Sequence, residues 1–173
     1  MKRIALFLTA IALCLSLAAC GAKAPAAVTA PDAVTITLPA ELAGVENEKQ
    51  LKAQFSGEGY LDARLTDDGQ VILVMTRGKH QALLAGVEGN ILQSLKDIAS
   101  AEDNSFTRIE VSEDYTHYTL YTAEEGLRTG EEIYTASLLF SSDLYYMVLG
   151  QERPEVTVEF ISEITGEVVY SYP

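Results

Sequence analysis

The side chains able to do chemistry are few in kind. The chain holds two cysteines, Cys14 and Cys20, two histidines, His80 and His117, and twenty-five aspartates and glutamates. A histidine working with carboxylates would suit a small hydrolase or lyase, because imidazole exchanges protons near neutral pH. Such work needs a partner at a fixed spacing, and none is written here. His80 falls in the first turn of a predicted helix, and His117 in a predicted strand beside Thr116 and Thr119. There is no Gly-x-Ser-x-Gly elbow, no His-Glu-x-x-His and no Cys–His pair. Asp67-Asp68-Gly69 and Glu102-Asp103-Asn104 could offer oxygens to calcium. Neither alternates its ligands as an EF-hand loop does, nor closes on a distant glutamate. No glycine-rich run follows a strand and opens a helix to cradle phosphate. The sequence therefore assigns no catalytic, cofactor-binding or metal-ligating residue.

Tyrosine is the more suggestive surface group, with nine copies against no tryptophan. Tyr115, Tyr118 and Tyr121 crowd one predicted strand, Tyr145 and Tyr146 one helix, and Tyr170 and Tyr172 the last strand. Neighbouring strand positions point to opposite faces, so Tyr118 and Tyr121 must part. Aromatics at strand spacing ordinarily pack across the sheet or at its edge; if helices cover one face, exposed tyrosines on the other would instead suit a protein, peptide or glycan partner.

The N-terminus carries an address. Lys2 and Arg3 precede an apolar run from Ile4 to Leu15, broken only by Thr9, and small residues then lead into Leu17-Ala18-Ala19-Cys20-Gly21. A basic head, a short apolar stretch and a small-residue cleavage site make an export signal. The run falls short of the roughly 20 residues a membrane-spanning helix needs. Its last five residues resemble the lipobox of bacterial lipoproteins. That resemblance implies cleavage before Cys20 and a diacylglyceryl group on its thiol, two acyl chains where one would hold only weakly. Residues 1–19 are thus expected to be removed, and residues 20–32, with Pro25 and Pro31, to form a lipidated, extended tether.

Charge narrows the partners. The net charge is −13, and cleavage would remove two cations and no acid, leaving −15. Such a chain repels phosphate backbones, so no nucleic-acid partner is expected, and it has no basic patch for anionic lipid. The membrane contact falls to Cys20 alone. With Cys14 gone and Cys20 lipidated, no thiol is left for a disulfide, so residues 33–173 must hold together as one globular domain by core burial.

The elements that would carry these residues follow from periodicity. Val34-Thr35-Ile36-Thr37-Leu38 alternates as a half-buried strand and stops at Pro39. A short helix is predicted over 47–55, capped by Asn47 with Gln50 reaching back. Leu61–Thr66 and Val71–Met75 flank Asp67-Asp68-Gly69-Gln70, a hairpin whose second strand is apolar on both faces and belongs in a sheet interior. Thr76 caps a helix to Ala99 with Leu84, Val87, Ile91, Leu95 and Ile98 on one stripe. The pattern repeats: a hairpin of Phe106–Val111 and Tyr115–Thr122, then a helix over 131–149 with Ile133, Ala136, Phe140, Leu144 and Met147 facing one way. A third hairpin, Glu155–Ser162 and Glu167–Tyr172, turns at Thr165-Gly166. The expected fold is α+β in the order β-α-ββα-ββα-ββ, one antiparallel sheet with two long helices on one face.

Val-Thr-Ile-Thr-Leu-Pro at 34–39, Asp-Asp-Gly at 67–69, Met-Thr-x-x-Lys-His at 75–80 and Val-Thr-Val-Glu-Phe with Thr-Gly-Glu-Val between 156 and 168 resemble a family of small lipoproteins from Gram-positive bacteria of the gut. The resemblance implies display on the outer side of a Gram-positive cytoplasmic membrane and carries over no functional residue. Address, tether and compact domain together predict a non-enzymatic binding or structural module. The alternatives are the carboxylate–histidine hydrolase or lyase above, or a subunit of a cell-envelope assembly, which would expose an apolar sheet face or edge.

Overall fold

A computed structural model describes residues 32–173. Cys20, the export signal and the tether up to residue 31 lie outside the described residues. The elements run β1 (Ala33–Pro39), α1 (Ala40–Ala43), α2 (Glu48–Gln54), β2 (Tyr60–Leu65), β3 (Gln70–Thr76), α3 (Arg77–Ala99), β4 (Phe106–Val111), β5 (His117–Thr122), α4 (Ile133–Leu149), β6 (Thr157–Ser162) and β7 (Val168–Tyr172). The class is α+β.

Local chemistry sets most of these boundaries. Asn47 accepts the Gln50 amide at 3.0 Å, while the Gln50 side chain takes the Glu46 N–H, one residue earlier than a strict capping box. The β2–β3 turn closes at Gly69, whose φ of 77° a residue with a Cβ would resist. Thr76 Oγ1 accepts the Lys79 N–H and opens α3. One short helix was expected after β1; there are two, because Pro39 starts a separate turn that ends at Gly44.

The expectation of one antiparallel sheet is corrected. The described residues form two sheets, one ordered β1-β3-β2 and the other β4-β5-β6-β7. The first is antiparallel throughout. The second pairs β5 with β6 in parallel, Tyr118 beside Val158 and Leu120 beside Phe160. The helix between them makes this possible: α4 returns the chain to the end where β5 began. A hairpin–helix–hairpin series can therefore hold one parallel pair, formed by the strands on either side of its helix.

The chain gathers into two compact units. Among the described residues, one comprises 32–88 with 147–151, the other 89–146 with 152–173. The first unit buries Ile36, Leu38, Val71, Leu73 and Met75 from one sheet face against Leu51 and Phe55, with Leu83 and Met147 at the margin. β3 is its central strand, as its apolar sequence predicted, although Ile72 and Val74 on the second face are only half-buried. In the second unit Tyr118, Leu120, Val158 and Phe160 are fully buried. Of the stripe read on α3, Val87, Ile91, Leu95 and Ile98 are buried and Leu84 is half-buried.

The stripe expected on the other long helix does not hold. Ile133 and Ala136 are exposed, and Phe140 and Met147 only half-buried. The buried positions are Thr135, Leu138, Ser141, Ser142, Leu144, Tyr146 and Val148. The helix is apolar nearly all round, so its hydrophobic period has no clear phase. The hydroxyl hydrogen bonds of Ser142 and Tyr146, invisible to a hydrophobicity count, mark the buried side.

Candidate functional site

Two arrangements in the second unit concentrate polar chemistry: an internal network that shapes the four-stranded sheet, and the sheet face left to solvent.

The internal network centres on Glu131, a buried carboxylate just ahead of α4. Its oxygens accept the Ser105 N–H at 2.6 Å, the Ser105 hydroxyl at 2.7 Å and the Arg128 N–H at 2.9 Å. Thr122 Oγ1 donates in turn to Ser105 Oγ at 2.7 Å. One side chain so fastens the start of β4, the end of β5 and the entry to the helix. At the opposite end of the strands, the Ser112–Thr116 turn is closed by Asp114, which accepts from Ser112 Oγ and Thr116 Oγ1. Those hydroxyls hold the Asp114 carboxyl below its ordinary range. Tyr115 follows with a left-handed φ of 56° and does not belong to β5, contrary to the expected strand start. Ser142 Oγ donates to the Tyr115 carbonyl at 2.7 Å and receives the Tyr118 hydroxyl at 3.1 Å. Burial pushes the Tyr118 phenol up to about 12. Tyr146 reaches the Asp114 carbonyl at 3.1 Å.

With Tyr118, Leu120 and Thr122 turned inward, His117, Thr119 and Tyr121 of β5 lie on the other face, where His117 is exposed, Tyr121 half-covered and Thr119 buried under its neighbours. Strand register sets Arg108 beside Tyr121 beside Ile161, and Glu110 beside Thr119 beside Glu159. The Arg108 guanidinium lies over the Tyr121 ring, 3.5 Å from its centroid, and pairs with Glu110 and Glu163. The Tyr121 hydroxyl donates to Glu110 at 3.2 Å. Arg108 is thus satisfied within the face rather than held out as a free cation.

The two histidines fall in different units. His80 is half-buried, and its Nε2–H donates to the Val148 carbonyl at 2.7 Å, a bond that orients the ring structurally. His117 is exposed on the open face, with Glu159 Oε2 at 3.5 Å and Thr119 Oγ1 at 3.4 Å. Among the described residues the ion pair of His117 is with Glu159. Of the calcium candidates, Asp68 is engaged by Thr66 within its turn, and Asn104 caps α3 by donating to the Ile98 carbonyl at 2.7 Å. Among the described residues no three His, Cys, Asp or Glu side chains gather as metal ligands would.

The tyrosines divide by role. Tyr115 and Tyr118 are buried, Tyr121 lies half-covered beneath Arg108, and Tyr170 and Tyr172 stand exposed on the outermost strand. Sequence reasoning missed Glu131 altogether. Glu131-Glu132 reads as an ordinary acidic helix start, favourable to the helix dipole, and nothing local separates the buried glutamate from its exposed neighbour. Arg108 and Glu110, by contrast, carried a signal: opposite charges two residues apart in a strand mark one solvent face.

No protein family, no curated protein and no solved structure matches the chain. Among the described residues, no helix is long and apolar enough to cross a membrane.

Proposed function

We propose that this chain is a lipoprotein, exported, cleaved before Cys20 and held by a diacylglyceryl group on that residue at the outer side of a Gram-positive cytoplasmic membrane. There it displays residues 33–173 as a non-enzymatic binding or structural module. The observation that carries this reading is Leu17-Ala18-Ala19-Cys20-Gly21 directly behind a basic head and a short apolar run. It is supported by the charge of −15 left after cleavage, which gives the rest of the chain no affinity for anionic lipid.

Fractionation of cells expressing Cys20→Ser tests the anchor. The variant is expected in the medium or other non-membrane fraction, folded, without incorporated acyl label, while the parent stays with the membranes. Retention of Cys20→Ser in the membrane fraction would overturn the reading.

The alternative of a cell-envelope assembly subunit is favoured by one specific feature. Of the seven exposed large hydrophobic residues among those described, four (Ile164, Val168, Tyr170 and Tyr172) fall on the last hairpin. A concentration of this kind marks contact surfaces in other proteins.

A further inference from the structure

The last hairpin leaves one sheet edge open. β7 pairs with β6 on one side only, and its other row of backbone N–H and C=O groups has no strand beside it among the described residues. Such a row is a template for another strand, and proteins ordinarily guard it with charge, proline or a bulge. The other edges fit that expectation or expose little. β4 carries Arg108 and Glu110 with a register shift after Phe106. β2 carries Asp62 and Arg64 with a shift after Tyr60. β1 is uncharged, yet its exposed side chains are only Ala33, Thr35 and Thr37. β7 reads Val-Val-Tyr-Ser-Tyr, with no charge and no proline. Its register shift falls between Phe160 and Ile161, ahead of Tyr170 and Tyr172.

Side chains on both faces of this edge offer apolar contact. Tyr170 sits opposite Phe160 and packs edge-on against its ring, 5.3 Å between centroids, yet is 37% exposed. Tyr172, opposite Val158, is 39% exposed. Val168, opposite Ile161 on the other face, is 50% exposed, and Ile164 at the turn 61%. An added strand would meet tyrosine rings on one face and a valine on the other.

Charge decides what that strand is. The second unit holds sixteen acids and four bases, a net charge of −12. Arg108, Arg128 and Arg153 are each paired with acids of the same unit. Glu159, Glu163 and Glu167 lie on the hairpin itself. A second copy would bring −12 against −12, whereas a cationic segment would be drawn in. We propose that the free edge of β7 captures an extended, basic, alternately apolar polypeptide segment as an added strand. This rests on the reading of the domain as a binding module and names the chemistry of its partner. Backbone hydrogen bonds supply affinity, and the tyrosines with the surrounding acids supply selectivity.

The test uses the full chain in a mild non-ionic detergent, titrated with a fluorescent nine-residue peptide of alternating valine and lysine and with its valine–glutamate counterpart. The lysine peptide is expected to bind and to slow amide exchange over residues 168–172, with affinity falling about tenfold as salt shortens the Debye length from roughly 14 to 6 Å. The glutamate peptide is expected not to bind. Ser171→Lys and Tyr172→Lys, each placing a guarding charge on the exposed strand, should each weaken the lysine peptide at least about tenfold with unchanged melting temperature. Equal binding of both peptides, no binding of either, or protection on another strand would overturn the proposal. So would a concentration-dependent dimer dissolved by Ser171→Lys, which would make a second copy the occupant. The anchor is read separately, by where Cys20→Ser fractionates, so each result can fail without the other.

Discussion

The two units bury different matter. In the first, every buried residue among those described is apolar, from Ile36 and Leu38 through Leu73 and Met75 to Val148. All nine buried polar residues among those described lie in the second, including Ser105, Thr122, Glu131, Ser142 and Ser162. The described part of the first unit has a net charge of −4, against −12 for the second. A hydrocarbon core is tolerant, since any side chain of suitable size helps to fill it. A hydrogen-bonded core is exacting, because each buried donor or acceptor must find its partner. The exacting unit is also the one that displays the charged sheet face and the open apolar edge. The contrast sets a tolerant hydrocarbon core apart from one whose strand positions are specified tightly.

The largest expected effect tests that contrast directly. Glu131→Ala removes the acceptor for three donors at once and should cost about 3–5 kcal/mol in chemical denaturation. Leu73→Ala in the first unit should cost a comparable 2–5 kcal/mol through a cavity. Chemistry separates them. Leu73→Met should recover nearly all of the loss, to within about 1.5 kcal/mol, whereas Glu131→Met should recover little, because the donors would stay unpaired. If Glu131→Met were as stable as the parent, the second core would be as tolerant as the first.

A smaller effect comes from alkali. Burial raises the Tyr118 phenol from 10.0 to about 12, so the folded chain keeps a proton that the unfolded chain releases. The stabilisation is therefore complete below pH 10 and is lost as pH rises toward 12, about 2–3 kcal/mol in all. Burial also raises Tyr60 in the first unit. Tyr118→Phe should remove the larger part of the alkaline loss, at a cost of about 1 kcal/mol at neutral pH for the bond to Ser142. A parent whose stability was flat between pH 10 and 12 would contradict the buried phenol.

The smallest effect has the opposite sign. Thr135 is buried, and its hydroxyl has no hydrogen-bond partner among the described residues. Thr135→Val should raise stability by about 1 kcal/mol, seen as a higher denaturation midpoint. Destabilisation would show that the hydroxyl is satisfied and that the second core holds no orphan.

Much of the fold was legible because its signals are local. Asn47 and Thr76 cap helices with their own side chains, and Gly69 and Gly166 supply positive φ at turns. The stripe from Val87 to Ile98 was legible because polar residues interrupt it often enough to fix its phase. On α4 the same reasoning failed, because few polar residues mark which side is out. The candidate surface was half-legible. Alternation separated Tyr118 from Tyr121, but that Arg108 would cover Tyr121 depends on strand register between distant residues.

The sequence by itself determined the type of most elements and the strongly acidic balance of the chain. These are properties of neighbouring residues or of the whole composition, and both survive without knowledge of contacts. Only the tertiary structure decided that the described residues form two sheets, that β5 and β6 run parallel, that Glu131 is buried while Glu132 is exposed, and that no described strand covers the outer edge of β7. Each of those depends on which strand finds which neighbour across a long stretch of chain. That choice is made by the summed burial and hydrogen bonding of the whole core, and no window of sequence contains it.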